Sequence, residues 1–236
     1  PLERLLENEA VQRLLFSGPI GVRAGRLGMG LATLPVRRDY RRLARVTVGS
    51  TDVPIHHVEH HDAHALSALG FLQGGPGTAV TVDAVGEGYS AAAYRLDGAS
   101  RRSLIRVPGL HSPGLLYLYV TILLGFRQGQ EGKVTGLAAR GEAEPVRSML
   151  AELLRFDHRS GSFRNTGLGY GRPAIDRLRR MLSGRTREEI AAGVQTHLED
   201  VVLEFIRYWH PDEDTTLYLA GGVFANVLLN MRILEA

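Results

Sequence analysis

The sequence predicts an α/β fold, and three observations carry that prediction. The β-branched run Thr78-Ala-Val-Thr-Val-Asp83 has the composition of a buried strand and ends on an acid. A second run, Tyr89 to Arg95, follows across the turn Ala84-Val-Gly-Glu-Gly88, so the two form a hairpin. Far downstream, Thr216 to Ala220 is a strand that runs directly into Gly221-Gly222 and a helix start. Hairpin, helices, then a strand into paired glycines is the order of an α/β domain with its ligand chemistry at strand ends.

Taken in chain order, Leu2 to Phe16 reads as a helix, followed by a Gly-rich turn region to Gly30. Leu43 to Val48 is a strand, and Val53 to Ile55 leads into a histidine run from His56 to His64. Ala65 to Phe71 continues that run as an apolar helix. Gln73-Gly-Gly-Pro-Gly77 breaks the chain and marks a subdomain boundary, separating residues 1–76 from 77–236. Asp97-Gly98 ends the hairpin. Pro113 to Leu124 is apolar and helical, and His111-Ser-Pro113 is the loop before it; no oxyanion-hole context makes Ser112 a nucleophile. Gly125 to Gly141 is dense in glycine and reads as a loop. Arg147 to Arg155 and Ala174 to Leu182 are short amphipathic helices around an irregular Asp157 to Pro173. Arg187 to Trp209 is the longest helix, because Ile190, Val194, Leu198, Val201, Val202, Phe205 and Ile206 form one apolar stripe. Asp212 to Thr215 closes it. The chain starts at Pro1 without methionine, and Met231 to Ala236 reads as a helix that continues. The expectation is a segment of a longer protein.

Composition excludes more than it selects. Hydrophobic residues at 44% and charged residues at 22% are ordinary for a soluble domain of 236 residues, and the expected compartment is the cytoplasm. The pI is near 9.5, yet the formal net charge is only +3, and Lys133 is the sole lysine. The pairs Arg37-Arg38, Arg41-Arg42, Arg101-Arg102 and Arg179-Arg180 are scattered and lack interleaved aromatics, which argues against a nucleic-acid surface. With no cysteine, thiolate ligands and cysteine nucleophiles are out. No apolar run reaches the ~20 residues of a membrane helix.

Three constellations carry chemistry. His56-His-Val-Glu-His-His-Asp-Ala-His64 holds five of the nine histidines, and His56, His60 and His64 recur every fourth residue, on one helix face. Such imidazoles either hold a divalent ion or form a solvated helix end. Asp83, at a strand end, would complete a two-histidine, one-carboxylate set, or else only caps its turn. Second, Gly221-Gly222 lets a ligand approach the backbone, with Asn226 one turn into the helix as a partner for ribose or base. Third, Gly129-Gln-Glu-Gly-Lys133 and Gly136 sit in the glycine loop, where Lys133 is a candidate anion contact although no Walker A pattern is present.

His60-His-Asp-Ala-His-Ala-Leu-Ser-Ala68, Val82-Asp-Ala-Val-Gly-Glu87, His111-Ser-Pro-Gly-Leu-Leu-Tyr117, Gly129-Gln-Glu-Gly-Lys-Val-Thr-Gly-Leu-Ala138 and Ala220-Gly-Gly-Val-Phe-Ala-Asn226 occur in this order. Together with Ile190-Ala-Ala-Gly-Val-Gln195, they resemble the O-carbamoyltransferases of the nodulation and antibiotic-tailoring type. The resemblance implies a partial actin-like ATPase fold (sugar kinase/Hsp70/actin) of two ribonuclease-H-like subdomains, the first incomplete. It implies His60, His64 and Asp83 as ligands of a divalent metal, usually iron. It places Gly86 and Glu87 at a phosphate hairpin, Lys133 and Gly136 in a lysine loop, and Gly221, Gly222, Val223 and Asn226 near adenosine. The implied reaction moves carbamoyl from carbamoyl-adenylate, made from ATP and carbamoyl phosphate on a further domain, to a hydroxyl of a sugar-like or natural-product acceptor.

His61 and Glu87 are the groups available as catalytic base. The family's opening strand and first phosphate turn have no counterpart before Leu43, and one further metal ligand and the adenylate-forming domain are expected beyond Ala236. This chain alone is therefore expected to be inactive. Two other readings stand beside this one: a relative forming threonylcarbamoyl-adenosine in tRNA, suggested by His57-Val-Glu59, and a non-catalytic nucleotide- or metal-binding scaffold.

Overall fold

The computed structural model describes residues 45–54, 58–71, 75–97, 100–212 and 214–236. The helix expected over Leu2 to Phe16, the turn region to Gly30, and His56 and His57 lie outside them.

Strands β1 (Arg45–Val48) and β2 (Thr51–Pro54) form an antiparallel ribbon, with Val48 opposite Thr51 across Gly49-Ser50. Helix α1 (His60–Phe71) follows, starting at the second histidine pair. Strands β3 (Gly77–Gly86), β4 (Tyr89–Asp97) and β5 (Ser100–Pro108) form an antiparallel meander. Strand β8 (Thr216–Ala220) returns much later and pairs parallel to β3, giving the mixed order β5-β4-β3-β8.

The hairpin is tighter than the sequence suggested. β3 runs past Asp83 to Gly86, and the turn is only Glu87-Gly88, with φ of 48° and 87°. Positive φ at both central residues is the signature of the turn type that matches strand twist. Between the pairs Val82↔Ala91 and Gly86↔Tyr89 the register shifts, so β3 carries a bulge at the Asp83 segment. β5 was not expected. Arg101, Arg102 and Arg106 hide its strand character, yet charged side chains suit a strand at a sheet edge.

The crossover from β5 to β8 is mostly helical. It contains α2 (Pro113–Leu123), α3 (Glu131–Ala138), α4 (Val146–Ala151), α5 (Arg172–Met181) and α6 (Arg187–Trp209). The expected loop Gly125 to Gly141 therefore contains a helix: the glycines at 132 and 136 are tolerated because Val134, Thr135 and Ala138 pack inward. The expected helix Arg147 to Arg155 stops at Ala151, because Leu154 enters a ribbon of β6 (Leu154–Asp157) and β7 (Ser162–Asn165). That ribbon occupies part of the stretch expected to be irregular. Ser112 caps α2 by accepting the Leu115 N–H at 2.9 Å, and Pro113 follows at the position where its missing N–H costs nothing. Thr186 and Glu189 form a capping box on α6.

Pleating assigns the two faces of the sheet. Val80, Val82, Ala91, Ala93 and Val107 join the large core built on α2, α5 and α6. Ala79, Ala92, Tyr94, Leu96 and Tyr218 face the other way and meet Ala65 of α1. Period two then sends Thr81 and Asp83 to the α1 side as well. Among the described residues no helix is long and apolar enough to cross a membrane.

His197 of α6 is buried in the large core, and desolvation lowers its pKa to about 4. The folded value lies below the ordinary 6.5, so the unfolded chain takes up the proton first. Stability from this group is complete above pH 6.5 and is lost as pH falls toward 4, amounting to roughly 3 kcal/mol. Urea unfolding from pH 7.5 to 4.5 should show this slope in the wild type and a shallower one in His197→Gln.

Candidate metal centre

Helix α1 starts where Glu59 accepts the Asp62 N–H at 3.0 Å through its carboxylate. His60 and His64 then stand one turn apart on the face toward the end of β3. His60 Nε2 lies 3.1 Å and His64 Nε2 3.0 Å from the same oxygen, Asp83 Oδ2, and the two Nε2 atoms are 3.1 Å apart. Three lone-pair atoms thus form a nearly equilateral triangle. With bonds of about 2.1 Å, the edge of an octahedral face is about 3.0 Å and that of a tetrahedron about 3.4 Å. The donors and their spacing fit a facial two-histidine, one-carboxylate site for a divalent ion. They are the only such cluster of three among the described residues.

Glycines hold this triangle in place. A methyl on Gly86 would overlap the His60 ring, and one on Gly222 would lie 3.0 Å from Asp83 Oδ1. One on Gly114, in the first turn of α2, would lie 2.8 Å from the Asp83 carbonyl. Gly221, at φ 102°, passes against the Val82 carbonyl, where a side chain would collide. Ser112 donates to the Asp83 carbonyl at 3.2 Å, and the Ala84 N–H donates to Asp83 Oδ1 at 3.0 Å. Burial acts to raise the pKa of the Asp83 carboxyl. The His60 ring, the Ala84 and Gly222 N–H groups and the His64 ring outweigh that and hold it below the usual carboxylate range.

Asp83 also lines a cavity of about 560 Å³. Gly114, Tyr117, Glu131, Gly132, Gly222 and Asn226 are among its other walls. Behind the wall runs a buried polar network. The Tyr117 hydroxyl donates to Gln195 Oε1 at 2.8 Å and lies 3.0 Å from Thr135 Oγ1. Gln195 and Asn226 pair amide to amide at 3.1 and 2.8 Å, and Asn226 Oδ1 accepts the Leu229 N–H at 3.1 Å. Asn226 is therefore not one turn into a helix. It is the N-cap of α7 (Val227–Leu234), after a short 3₁₀ turn, Gly222–Ala225. Burial pushes the Tyr117 hydroxyl up to about 12, so it is a neutral donor.

The other expected site residues are dispersed. Val223 lines the cavity. Glu87 sits half-buried at the hairpin turn. Lys133 and Gly136 are exposed on α3, and the Lys133 ammonium lies 5.8 Å from the Phe126 ring centre. His61 is fully buried beneath α1, its Nδ1 2.9 Å from Thr81 Oγ1, and burial lowers its pKa. Tyr117, Thr135 and Gln195 stand within the motifs quoted above, but none was expected in the site. A further signal was a polar atom within an otherwise apolar helical stripe, as at Gln195 among Ala191, Val194 and Leu198.

Comparison with known proteins is consistent in direction. The model of a family described as the carbamoyltransferase N-terminus matches residues 42–236. Nodulation protein NolNO of Sinorhizobium fredii is 30% identical over 186 residues, 76% of this chain and 27% of its own length. Nodulation protein NolO of Bradyrhizobium diazoefficiens is 29% identical over 182 residues, 75% of this chain and 33% of its own length. An uncharacterized protein of Methanocaldococcus jannaschii is 28% identical over 230 residues, covering 87% of this chain and 36% of its own length. The chain thus spans about a third of the curated relatives it matches.

Gly86→Ala must push the His60 ring off its seat. It should cost about 1–3 kcal/mol by overpacking, read by denaturant unfolding, and should weaken divalent-ion binding at least tenfold by titration calorimetry. Gly136→Ala, with nothing within 4 Å of the added methyl, serves as the comparison: it should stabilise α3 by about 0.5–1 kcal/mol and leave the ion titration unchanged.

Proposed function

This chain belongs to the carbamoyltransferase N-terminus family, and we propose that it serves carbamoyl transfer to a hydroxyl of a sugar-like or natural-product acceptor. In this reading His60, His64 and Asp83 hold a divalent ion, iron foremost, and the adjoining cavity seats the adenylate of carbamoyl-adenylate. The observation that carries the proposal is the convergence of two imidazole nitrogens on a carboxylate oxygen whose residue also lines the cavity. The sheet supports the architectural side: three antiparallel strands with a fourth added parallel to the first suit a ribonuclease-H-like subdomain. Residues 77–236 would then be most of one subdomain of an actin-like ATPase, and residues 1–76 the remainder of the other.

When bound, a divalent ion at this triad supplies positive charge for a phosphate or carbamoyl oxygen. The chain's own groups do the rest. Gly114, Gly129, Gly132 and Gly222 keep the cavity wall free of side chains, so a ligand can reach backbone. Tyr117 and Thr135 keep their hydroxyl groups in the network behind the wall, while Leu118, Leu198, Val223 and Val227 give the apolar surface that a purine ring needs. Among the described residues, Asp83 and Glu131 are the only charged ones lining the cavity. A neutral nucleoside therefore suits its interior, and an anionic group would fit only at the Asp83 end, where a bound divalent ion would offset the carboxylate. Of the two candidate bases for the acceptor's proton, His61 is enclosed and Glu87 is the one left partly accessible.

The proposal assigns carbamoyl-adenylate formation to parts of the protein other than this chain. Element analysis of the purified protein should find about one bound divalent ion in the wild type and at least tenfold less in His60→Ala and His64→Ala. Unchanged metal content in both variants would sink the ligand assignment. Supplied with ATP, carbamoyl phosphate and an aminosugar acceptor, this chain alone should give no carbamoylated product; sustained turnover would overturn the division of labour.

A further inference from the structure

We propose that Asp62, gripped by Arg101 and Arg106 of β5, is the positioning residue that sets the rotation of α1 and thereby brings His60 and His64 onto Asp83. The inference rests on the metal reading above and adds residues that nothing else assigns to it. Asp62 is 8% exposed, and its two oxygens are taken by different arginines: Arg101 Nη2 to Oδ2 at 2.7 Å and Arg106 Nη2 to Oδ1 at 3.0 Å. Arg106 also approaches Glu59, the residue before the helix, at 3.7 Å. Both arginines come from the far edge of the sheet, about 40 residues along the chain, so local helix formation does not explain the contact.

The need for such a clamp follows from how little else holds α1. Its fully buried apolar contact is the single methyl of Ala65, with Ala68 and Leu69 packed partly behind it. One methyl does not define a rotation about the helix axis. At about 100° per residue, His60 and His64 stand on one flank of the sheet-facing arc, His61 and Ala65 in its middle, and Asp62 on the opposite flank. The histidine flank is fixed by Asp83 and the Asp62 flank by the two arginines, with His61 on Thr81 as the pivot. Side-chain tips lie roughly 7 Å from the axis, so turning the helix by about 20° moves His60 and His64 by roughly 2 Å. That is enough to open a triangle whose edges are 3.0–3.1 Å. Two arginines on one carboxylate resist such a turn in both senses, because each holds a separate oxygen.

The test is Co²⁺ titration of the purified chain, read by visible absorption, which reports ligand geometry as well as affinity. Wild type, Asp62→Asn, Asp62→Glu, Arg106→Lys and Leu178→Ala are compared, each shown to be folded by circular dichroism. Asp62→Asn should weaken Co²⁺ binding by about 10–100-fold and change the band shape, as expected when a group orienting metal ligands is lost. Asp62→Glu should recover part of the affinity, and Arg106→Lys should fall between wild type and Asp62→Asn. Leu178→Ala, a buried change in α5, lowers thermal stability but should leave affinity and spectrum at wild-type values. Should Asp62→Asn fail to fold, the milder Arg106→Lys decides. Wild-type affinity and spectrum in the folded Asp62 and Arg106 variants would overturn the positioning role. Equal losses in Leu178→Ala would reduce it to general stability. A wild type that takes up no Co²⁺ would overturn the metal reading itself.

Discussion

A carboxylate kept ionised at the end of a buried strand is the constraint on which the rest of this structure depends. Asp83 leaves the ladder at a bulge, where β3 no longer pairs regularly with β4, and its side chain turns toward α1. A half-buried charge of this kind needs donors on several sides. It finds them in two imidazoles, the next N–H in its own strand and the N–H of Gly222 arriving after β8. Its carbonyl is held in turn by Ser112 at the start of α2. Helix α1, the start of α2 and the segment after β8 therefore close on one residue; the last two bring glycines, and β3 adds Gly86, at positions where a larger side chain would collide. The packing of the sheet and the chemistry of the site share one cause.

Much of this was legible in the sequence, and the reasons are specific. The Thr78-to-Asp83 run showed its strand through β-branched residues, α6 through a long apolar stripe, and the start of α2 through Ser-Pro. The histidine run and Asp83 were visible because ligand chemistry restricts residue type, the choice of His60 and His64 within the run came from the resemblance, and contact between them needed the fold. β5 was hidden by its arginines, which belong there only because the strand lies at the edge and one face meets Asp62. α3 was hidden by its glycines, since tertiary packing of Val134 and Ala138 outweighs their low helix propensity. The network of Tyr117, Thr135, Gln195 and Asn226 joins four elements far apart in sequence, and no local pattern announces such a meeting.

The excess of arginine over lysine also acquires a structural meaning. Arg101 and Arg106 converge on Asp62, and Arg147 links Glu144 to Asp200 between α4 and α6. Arg187 donates to the Leu124 carbonyl at 2.9 Å while its guanidinium lies 5.2 Å from the Phe126 ring centre. A planar fork with several donors can do two of these things at once, and an ammonium group cannot. Whatever set the composition, the fold uses these guanidinium groups to join elements, which leaves the basic pI a poor guide to partners.

The parallel pairing of β3 with β8 has a consequence for how the molecule assembles. Its register joins Gly77 to Thr216, a closure across 139 residues, whereas the histidines lie within 23 residues of Asp83. Long closures are entropically slow and come late, after nearby contacts have formed. The hairpin and α1 can meet early and bring all three corners of the triangle together. Gly222 and the cavity wall arrive only when β8 docks. During synthesis the nascent chain would thus carry the two imidazoles and the carboxylate together before the cavity beside them was enclosed, so the order of folding imposes an order on the birth of the site.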